Sequence, residues 1–340
     1  NNIKCNKKKT KSCQKFKYYV KRFKVKDYMN WITRIIKAGE KIKTAIHKRA
    51  TKEDIANSDW ISCCKGPQQK IIFENNMWVC PDCNEHHKIN PKLRFAYLFD
   101  DGKYEILDTP SPVDDPLEFV DSKPYKDRLK AARKKTGLKC SMVVATGKIK
   151  DINVTAFASD WSFMASSIGQ AEGEAILFAV QHAIDNKNAL LAVTSGGGMK
   201  MQEGLLSLSQ MPRSVLAINE LKKNKLPYIV LLTNPTTGGI TASYAMTGDI
   251  QIAEPNALIA FAGARVIAGT VKESLPAGFQ RSEYVQKTGF VDMIVNRKDL
   301  PDKIGTLLSI LLKKHPAQDQ TNEEDDASNE SLTVKTKEAS

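Results

Sequence analysis

Two residue patterns in this chain could do chemistry, one of thiols and one of glycines. Cys80-Pro81-Asp82-Cys83 is a C-x-x-C knuckle, in which one tight turn offers two thiolates to a single tetrahedral metal ion. Cys63 and Cys64 stand upstream as the other candidate ligands of a zinc site, with His86 and His87 as alternatives. Adjacent cysteines reach one ion only if the backbone distorts, so a four-thiolate site competes with a degenerate one. The glycines come as Ser195-Gly196-Gly197-Gly198 and Asn234-Pro235-Thr236-Thr237-Gly238-Gly239. Each set follows a short strand and precedes a helical pattern, which gathers backbone N–H groups beside the positive end of a helix dipole with little side chain in the way. Such a site suits a phosphate or a developing oxyanion. Neither loop is the G-x-x-x-x-G-K-[ST] of a nucleotide phosphate loop and neither gives G-x-G-x-x-G, which favours the oxyanion.

Side chains for covalent or acid–base catalysis are missing from these loops. The histidines are His47, His86, His87, His182 and His315, none of them in either loop, and no G-x-S-x-G elbow is present. A site of backbone donors without a resident base suits a reaction whose substrates supply their own acid and base while the protein stabilises enolate charge.

The elements that must position these groups read as an alternating α/β core. Ser141–Thr146 and Ile152–Ala158 are β-branched-rich runs consistent with paired strands. Apolar residues at 176, 177, 180 and 184 give one helix face over about 171–184. Leu190–Thr194 leads into the first glycine loop and a helix through Leu221; Tyr228–Thr233 leads into the second and a helix from about Thr241. Strands near Ile250–Ala253 and Leu258–Phe261, then helices near 279–287 and 300–314, complete the unit. Residues 60–90 carry the cysteines and show no helical period. Prolines 110, 112, 116 and 124 break the charged helical stretches of 91–135.

At 340 residues the chain is long enough for a full core, and no run approaches the roughly 18–20 apolar residues of a membrane span. Its formal charge of +13 invites a nucleic-acid or membrane reading. Much of that charge sits in residues 1–28, which hold eleven Lys/Arg against the single acid Asp27, whereas residues 316–340 hold seven acids. The expected organisation is a disordered basic extension (1–28), a helical lead-in from Met29 (29–59), a cysteine-bearing segment (60–90), the α/β domain (91–315) and an acidic disordered tail (316–340). The cysteine count is seven, with four inside 21 residues, which reads as reduced or metal-bound thiols rather than a disulfide framework. With no apolar secretion segment, a cytoplasmic location is expected.

Four segments in order carry a family resemblance: 194–204 (TSGGGMKMQEG), 232–243 (LTNPTTGGITAS), 253–263 (AEPNALIAFAG) and 276–283 (PAGFQRSE). They resemble the successive signatures of the bacterial acetyl-CoA carboxylase carboxyltransferase β subunit, over about residues 29–315. The resemblance implies a crotonase-like (ClpP/crotonase) superhelix of ββα units with a small N-terminal zinc-ribbon domain. It implies transfer of a carboxyl group from carboxybiotin, carried on the biotin carrier protein, to acetyl-CoA, giving malonyl-CoA for fatty-acid synthesis. The implied partners are an α subunit, in a heterotetramer of two α and two β subunits, the biotin carboxyl carrier protein and biotin carboxylase. Structural zinc is the implied cofactor, held by Cys63, Cys64, Cys80 and Cys83. Gly238 and Gly239 match the glycine pair of the oxyanion hole; Gly197, Gly198 and Lys200 fall at the acyl-CoA site.

Three departures stand out. The family's Ser-Gly-Gly-Ala-Arg-Met-Gln is here Gly196-Gly197-Gly198-Met199-Lys200-Met201-Gln202, so a charge is kept but a bidentate fork is lost. Its Phe-Met-Gly-Gly-Ser-Met-Gly is here Phe163-Met164-Ala165-Ser166-Ser167-Ile168-Gly169, which puts close backbone approach at 165–166 in doubt. The ribbon's first C-x-x-C is incomplete: Ile61 holds the first position if Cys64 is the second, or Gly66 the second if Cys63 is the first. The basic run Lys123, Lys126, Arg128, Lys130, Arg133, Lys134 and Lys135 is either a solvated face or an attraction for CoA phosphates. Rival readings are a β-type subunit of another biotin-dependent acyl-CoA carboxylase or of malonate decarboxylase, and, in a different class, a basic zinc-ribbon nucleic-acid-binding protein. The second has no interleaved base-stacking pattern to support it.

Overall fold

Ala189–Val193 and Tyr228–Leu232 are apolar at every position, the mark of strands covered on both faces, and in the computed structural model they form the middle of the sheet. The structure describes residues 59–263, 267, 269–270 and 275–313. The expected extension, the lead-in but for Asp59, and the acidic tail lie outside the described residues.

A hairpin of β1 (Trp60–Cys63) and β2 (Gly66–Gln69) comes first, then the short α1 (Lys70–Asn75) and α2 (Pro91–Leu98). The six residues of α1 are too few to give the helical period that 60–90 lacks in sequence. Next are β3 (Tyr104–Leu107), α3 (Tyr125–Thr136), β4 (Met142–Ile149) and β5 (Ile152–Ser159), followed by α4 (Gln170–Asn186) and β6 (Ala189–Gly196). Then come α5 (Gly204–Leu208), α6 (Gln210–Lys223), β7 (Tyr228–Thr237), β8 (Ile250–Ala253), β9 (Ile259–Ala260), α7 (Ser282–Lys287), β10 (Met293–Ile294) and α8 (Leu300–Leu311).

The sheet runs β10-β8-β7-β6-β5-β4-β3, with β9 paired to the far end of β7. The β3–β4 and β4–β5 pairs are antiparallel, and β5 through β8 are parallel. Side chains alternate between two cores, as a pleated strand requires. Leu190, Ala192, Tyr228, Val230 and Leu232 face the core built with α4, whose Ala175, Ile176, Ala179, Val180 and Ala183 are buried. Leu191, Val193, Ile229 and Leu231 face the other, closed by Phe95 and Leu98 of α2 and by Leu300, Ile304 and Leu308 of α8. Both glycine loops therefore leave the carboxyl ends of adjacent parallel strands, the edge at which open α/β sheets bind ligands.

The helix expected from about Thr241 is replaced by turns and a short 3₁₀ segment, Tyr244–Met246. The hydroxyls there bond back to the backbone: Thr241 Oγ1 donates to Gly238 O (2.7 Å) and Ser243 Oγ to Gly239 O (2.6 Å). These local bonds occupy carbonyls that a regular helix would use.

Candidate functional site

Between Thr194 and Gly196 the β6–β7 register shifts, so that Gly196 pairs with Thr236 and the two strand ends travel together into their loops. Threonine hydroxyls hold them: Thr233 Oγ1 donates to Thr194 O (2.7 Å), Thr237 Oγ1 to Gly196 O (3.0 Å), and Thr194 and Thr236 share a hydroxyl bond of 2.9 Å. The loops then touch backbone to backbone. A Cβ on Gly238 would lie 3.1 Å from Gly198 Cα, and one on Gly198 would lie 3.6 Å from Gly239 N. Their φ angles, +113° at Gly198 and +66° at Gly238, are in the region glycine favours.

The backbone N–H groups are not equivalent. Gly197 donates to Ala165 O (3.0 Å), and Gly238 donates to Ala260 O (3.1 Å) and Phe261 O (3.0 Å). Among the described residues, the N–H groups of Gly198 and Gly239 meet no acceptor. This corrects the placing of Gly238 as an oxyanion donor. Its N–H is engaged, and its part is to let the loops close. The unengaged pair is one donor from each loop, at the point where the two backbones meet.

Beneath the first loop, Met164, Ala165 and Ser166 all take positive φ (48°, 55° and 50°). The loss of two glycines from this stretch does not open the backbone approach. Ala165 O still receives Gly197 N–H, Gly198 O receives Ile168 N–H (2.9 Å), and Ile168 O receives Lys200 N–H (2.8 Å). The left-handed backbone is imposed on side-chain-bearing residues, at about 1 kcal/mol or more each. The buried Ser166 Oγ also has no hydrogen-bond partner. Ser166→Gly is therefore expected to stabilise the fold by about 1 kcal/mol, a rise in melting temperature of roughly 2–4 °C in a thermal scan.

Lys200 does not face a substrate surface. It is 2% exposed and bonds both oxygens of Glu172 (3.1 and 2.9 Å), with Glu203 at 3.8 Å. Glu172 in turn accepts from Ser141 N and Oγ (3.0 Å each) and from Gly169 N (2.9 Å). Glu203 accepts from the Tyr125 hydroxyl (2.7 Å) and from Gln170 N (2.6 Å). Burial works against both charges, yet Lys200 holds Glu172 below its ordinary range, and the two glutamates hold Lys200 above its own. A single ammonium thus ties the glycine loop to the start of α4 and the entry to β4.

The four cysteines do come together. All four sulfurs lie within 4.8 Å of one another, with Cys63 to Cys83 at 3.6 Å and Cys64 to Cys80 at 3.9 Å. A tetrahedral site with Zn–S bonds of about 2.3 Å needs sulfurs about 3.8 Å apart, so the donor set fits zinc. Cys63 ends β1 and Cys64 starts the turn into β2, which is how neighbours reach one point without Ile61 or Gly66 taking part. Glu85 N–H, the neighbouring thiols and burial, which opposes them, leave the Cys83 thiol lowered to about 7. Of the two histidines, His87 stands at the cluster, Nε2 3.3 Å from Cys63 Sγ, whereas His86 is buried against Glu254 at 3.6 Å.

An ion cluster with no counterpart in the sequence expectations joins this segment to the core. Arg297, 1% exposed, gives Nε and Nη2 to Glu254 (2.8 and 3.0 Å), Nη1 to Met77 O (2.8 Å) and Nη2 to His87 O (2.9 Å). Arg94 adds a 2.6 Å bond to Glu254. Burial raises the Glu254 carboxyl, but the two guanidinium groups outweigh it and hold it well below its ordinary range. A lone acid directly after the strand Ile250–Ala253 was the available signal. In the basic run, Arg128 pairs with Asp121 and Arg133 with Asp114, leaving Lys126, Lys130, Lys134 and Lys135 exposed.

The sequence matches the carboxyl transferase domain family over residues 117–337. It is 63% identical over 305 residues to the acetyl-coenzyme A carboxylase carboxyl transferase subunit beta of Pelagibacter ubique, covering 90% of this chain and 99% of that protein. The subunit of the same name from Caulobacter vibrioides is 48% identical over 286 residues, covering 83% and 90%. In fold, the chain is similar to a malonate decarboxylase hetero-dimer from Pseudomonas (TM-score 0.50, 20% identity, 68% of this chain and 89% of that one). It is also similar to the transcarboxylase 12S core (TM-score 0.52, 20% identity, 65% and 41%). The architecture is the α/β crotonase-type one of the carboxyltransferases, and the chain belongs to the family of acetyl-CoA carboxylase carboxyl transferase β subunits.

Proposed function

We propose that this chain, paired with an α subunit, moves a carboxyl group from carboxybiotin on its carrier protein to acetyl-CoA, giving malonyl-CoA. The observation that carries the reading is the pair of unengaged N–H groups at Gly198 and Gly239 where the two glycine loops meet. They would hold the thioester oxygen. As the acetyl methyl gives up a proton, negative charge moves onto that oxygen, and two preoriented donors stabilise it without having to reorganise. The proton acceptor would come from the carboxyl donor itself: loss of the carboxyl group as CO₂ breaks the N–C bond of carboxybiotin, the electron pair left on nitrogen takes the methyl proton, and the enolate carbon then bonds to the CO₂, which accounts for loops that carry no histidine. Lys200 and the threonine hydroxyls keep the donors in place.

The test is assembly with an α subunit, two copies of each, and an assay of malonyl-CoA-dependent carboxylation of free biotin. Turnover by the pair and none by either chain alone is the expected result; full activity from this chain alone would overturn the two-subunit reading. The partners are taken to be the α subunit, the biotin carboxyl carrier protein and biotin carboxylase, in a cytoplasmic complex. Among the described residues no helix is long and apolar enough to cross a membrane.

The four thiols are proposed to hold structural Zn²⁺, which when bound would cross-link the two cysteine turns. Purified protein should contain close to one zinc per chain by elemental analysis. Chelation should lower the melting temperature, and Cys83→Ser should lose the metal. Absence of zinc would remove the site and leave the enzymatic reading intact.

A further inference from the structure

We propose that Met199, assisted by Met211, is the side-chain wall of the acyl pocket and limits the acyl group this enzyme accepts; the inference rests on the carboxyltransferase reading above. Around most of the glycines of the two loops, the neighbours are backbone. The nearest atom to a Cβ position on Gly197 is Ala165 O, at 3.8 Å. On Gly198 they are Gly238 Cα, Gly239 N and Thr237 O, and on Gly238 they are atoms of Gly197 and Gly198. Gly196 meets Ile240 Cδ1 and Ser166, and Gly239 meets two methionines. The three nearest atoms to its Cβ position are Met199 Cγ at 2.5 Å, Met199 Sδ at 2.6 Å and Met211 Sδ at 3.0 Å. Two thioethers therefore stand against Gly239, one of the two glycines whose N–H is unengaged.

Their placement is fixed. Met199 follows Gly198, the other unengaged donor, and its backbone pairs with Ile168 through the bonds at Gly198 O and Lys200 N. Met211 stands in the first turn of α6. Each is only partly buried, and Met199 also packs against the core on the α4 side of the sheet. A thioester oxygen held by both N–H groups at about 2.9 Å would carry its acyl methyl only two bonds away, beside the loop that Met199 lines. The position of Met199 is also where the resembled family carries alanine, so this chain fills space that a shorter side chain leaves open. Met is flexible as well as long, which makes the wall a graded limit rather than an absolute one. One surplus methyl or methylene in a pocket of this kind is worth roughly 10- to 200-fold in kcat/KM.

The experiment uses the chain assembled with its α subunit, with malonyl-CoA and methylmalonyl-CoA as alternative carboxyl donors to free biotin. Met199→Ala is expected to raise the methylmalonyl-to-malonyl ratio of kcat/KM by about tenfold or more. Met211→Ala should shift the ratio the same way by less, and Met199→Leu, which conserves volume, should keep it within about twofold. Should Met199→Ala fail to assemble, Met211→Ala carries the test. A parent assembly that turns over malonyl-CoA, with the ratio unmoved in the alanine variants, would overturn the proposal alone. A parent that does not turn over malonyl-CoA would overturn the proposed function and, with it, this inference.

Discussion

Gly198→Ala is expected to lower kcat of the assembled enzyme by roughly 10²–10³, the usual effect of removing one oxyanion donor, with a much smaller change in KM. The reason is conformational more than steric. A Cβ would find its nearest neighbours at 3.6 Å, an ordinary contact, but an alanine at φ +113° is strained, and the peptide must rotate to relieve it. Rotation re-aims the N–H proposed to hold the thioester oxygen. Gly197→Ala is the matched control. Its N–H is already engaged by Ala165 O, its Cβ would have 3.8 Å of clearance, and its φ is not among the positive ones. That variant should stay within a few-fold of the parent. Steady-state kinetics on both, with far-UV circular dichroism to confirm folding, decides the point. Equal losses in the two variants would mean that the loop, and not the individual N–H, matters.

Arg297→Met is expected to destabilise the protein by about 3–5 kcal/mol, the range found when one member of a buried ion cluster is removed and a charge is left behind. For a domain of this size that is a fall of roughly 6–20 °C in melting temperature. The substitution also strands Met77 O and His87 O, so proteolysis between residues 77 and 90 should accelerate in step. The pH dependence has a definite sign. Glu254 is held well below its ordinary range in the folded chain, so the stability it contributes is present above that range and is lost as pH falls through it and beyond. The parent should therefore weaken from about pH 5 downward, and Glu254→Gln should remove that part of the slope. A parent and a variant with the same acid profile would show that the cluster does not set it.

Strand identity was legible because parallel strands buried on both faces are apolar throughout, as in Tyr228–Leu232, and the glycine loops were legible because each directly follows such a strand, although the helix expected after the second did not form. Which glycine N–H groups stay unengaged was not legible. The answer lies with carbonyls at Ala165, Ala260 and Phe261, brought to the loops only by the fold. The same limit explains Lys200, read as a substrate contact from its place in a motif. Its partner Glu172 lies 28 residues away, in another element. The loss of glycines at 165–166 pointed to a loosened loop, whereas the surrounding bonds hold Ala165 and Ser166 in glycine-like conformations. Adjacent Cys63 and Cys64 looked like a damaged ligand set on spacing alone, and the strand-to-turn boundary between them resolves it.

The Arg297 cluster also sets an order of events during synthesis. Arg297 and Met77 are separated by 220 residues, so the segment bearing the thiols leaves the ribosome long before its anchor exists. At translation rates of about 5–20 residues per second, the wait is roughly 10–40 s. For that interval Cys63, Cys64, Cys80 and Cys83 belong to a nascent segment unable to dock, exposed to oxidation and to scavenging of whatever metal is at hand. An ion captured in that interval would be in place before docking, and the last third of the chain would then seal it in.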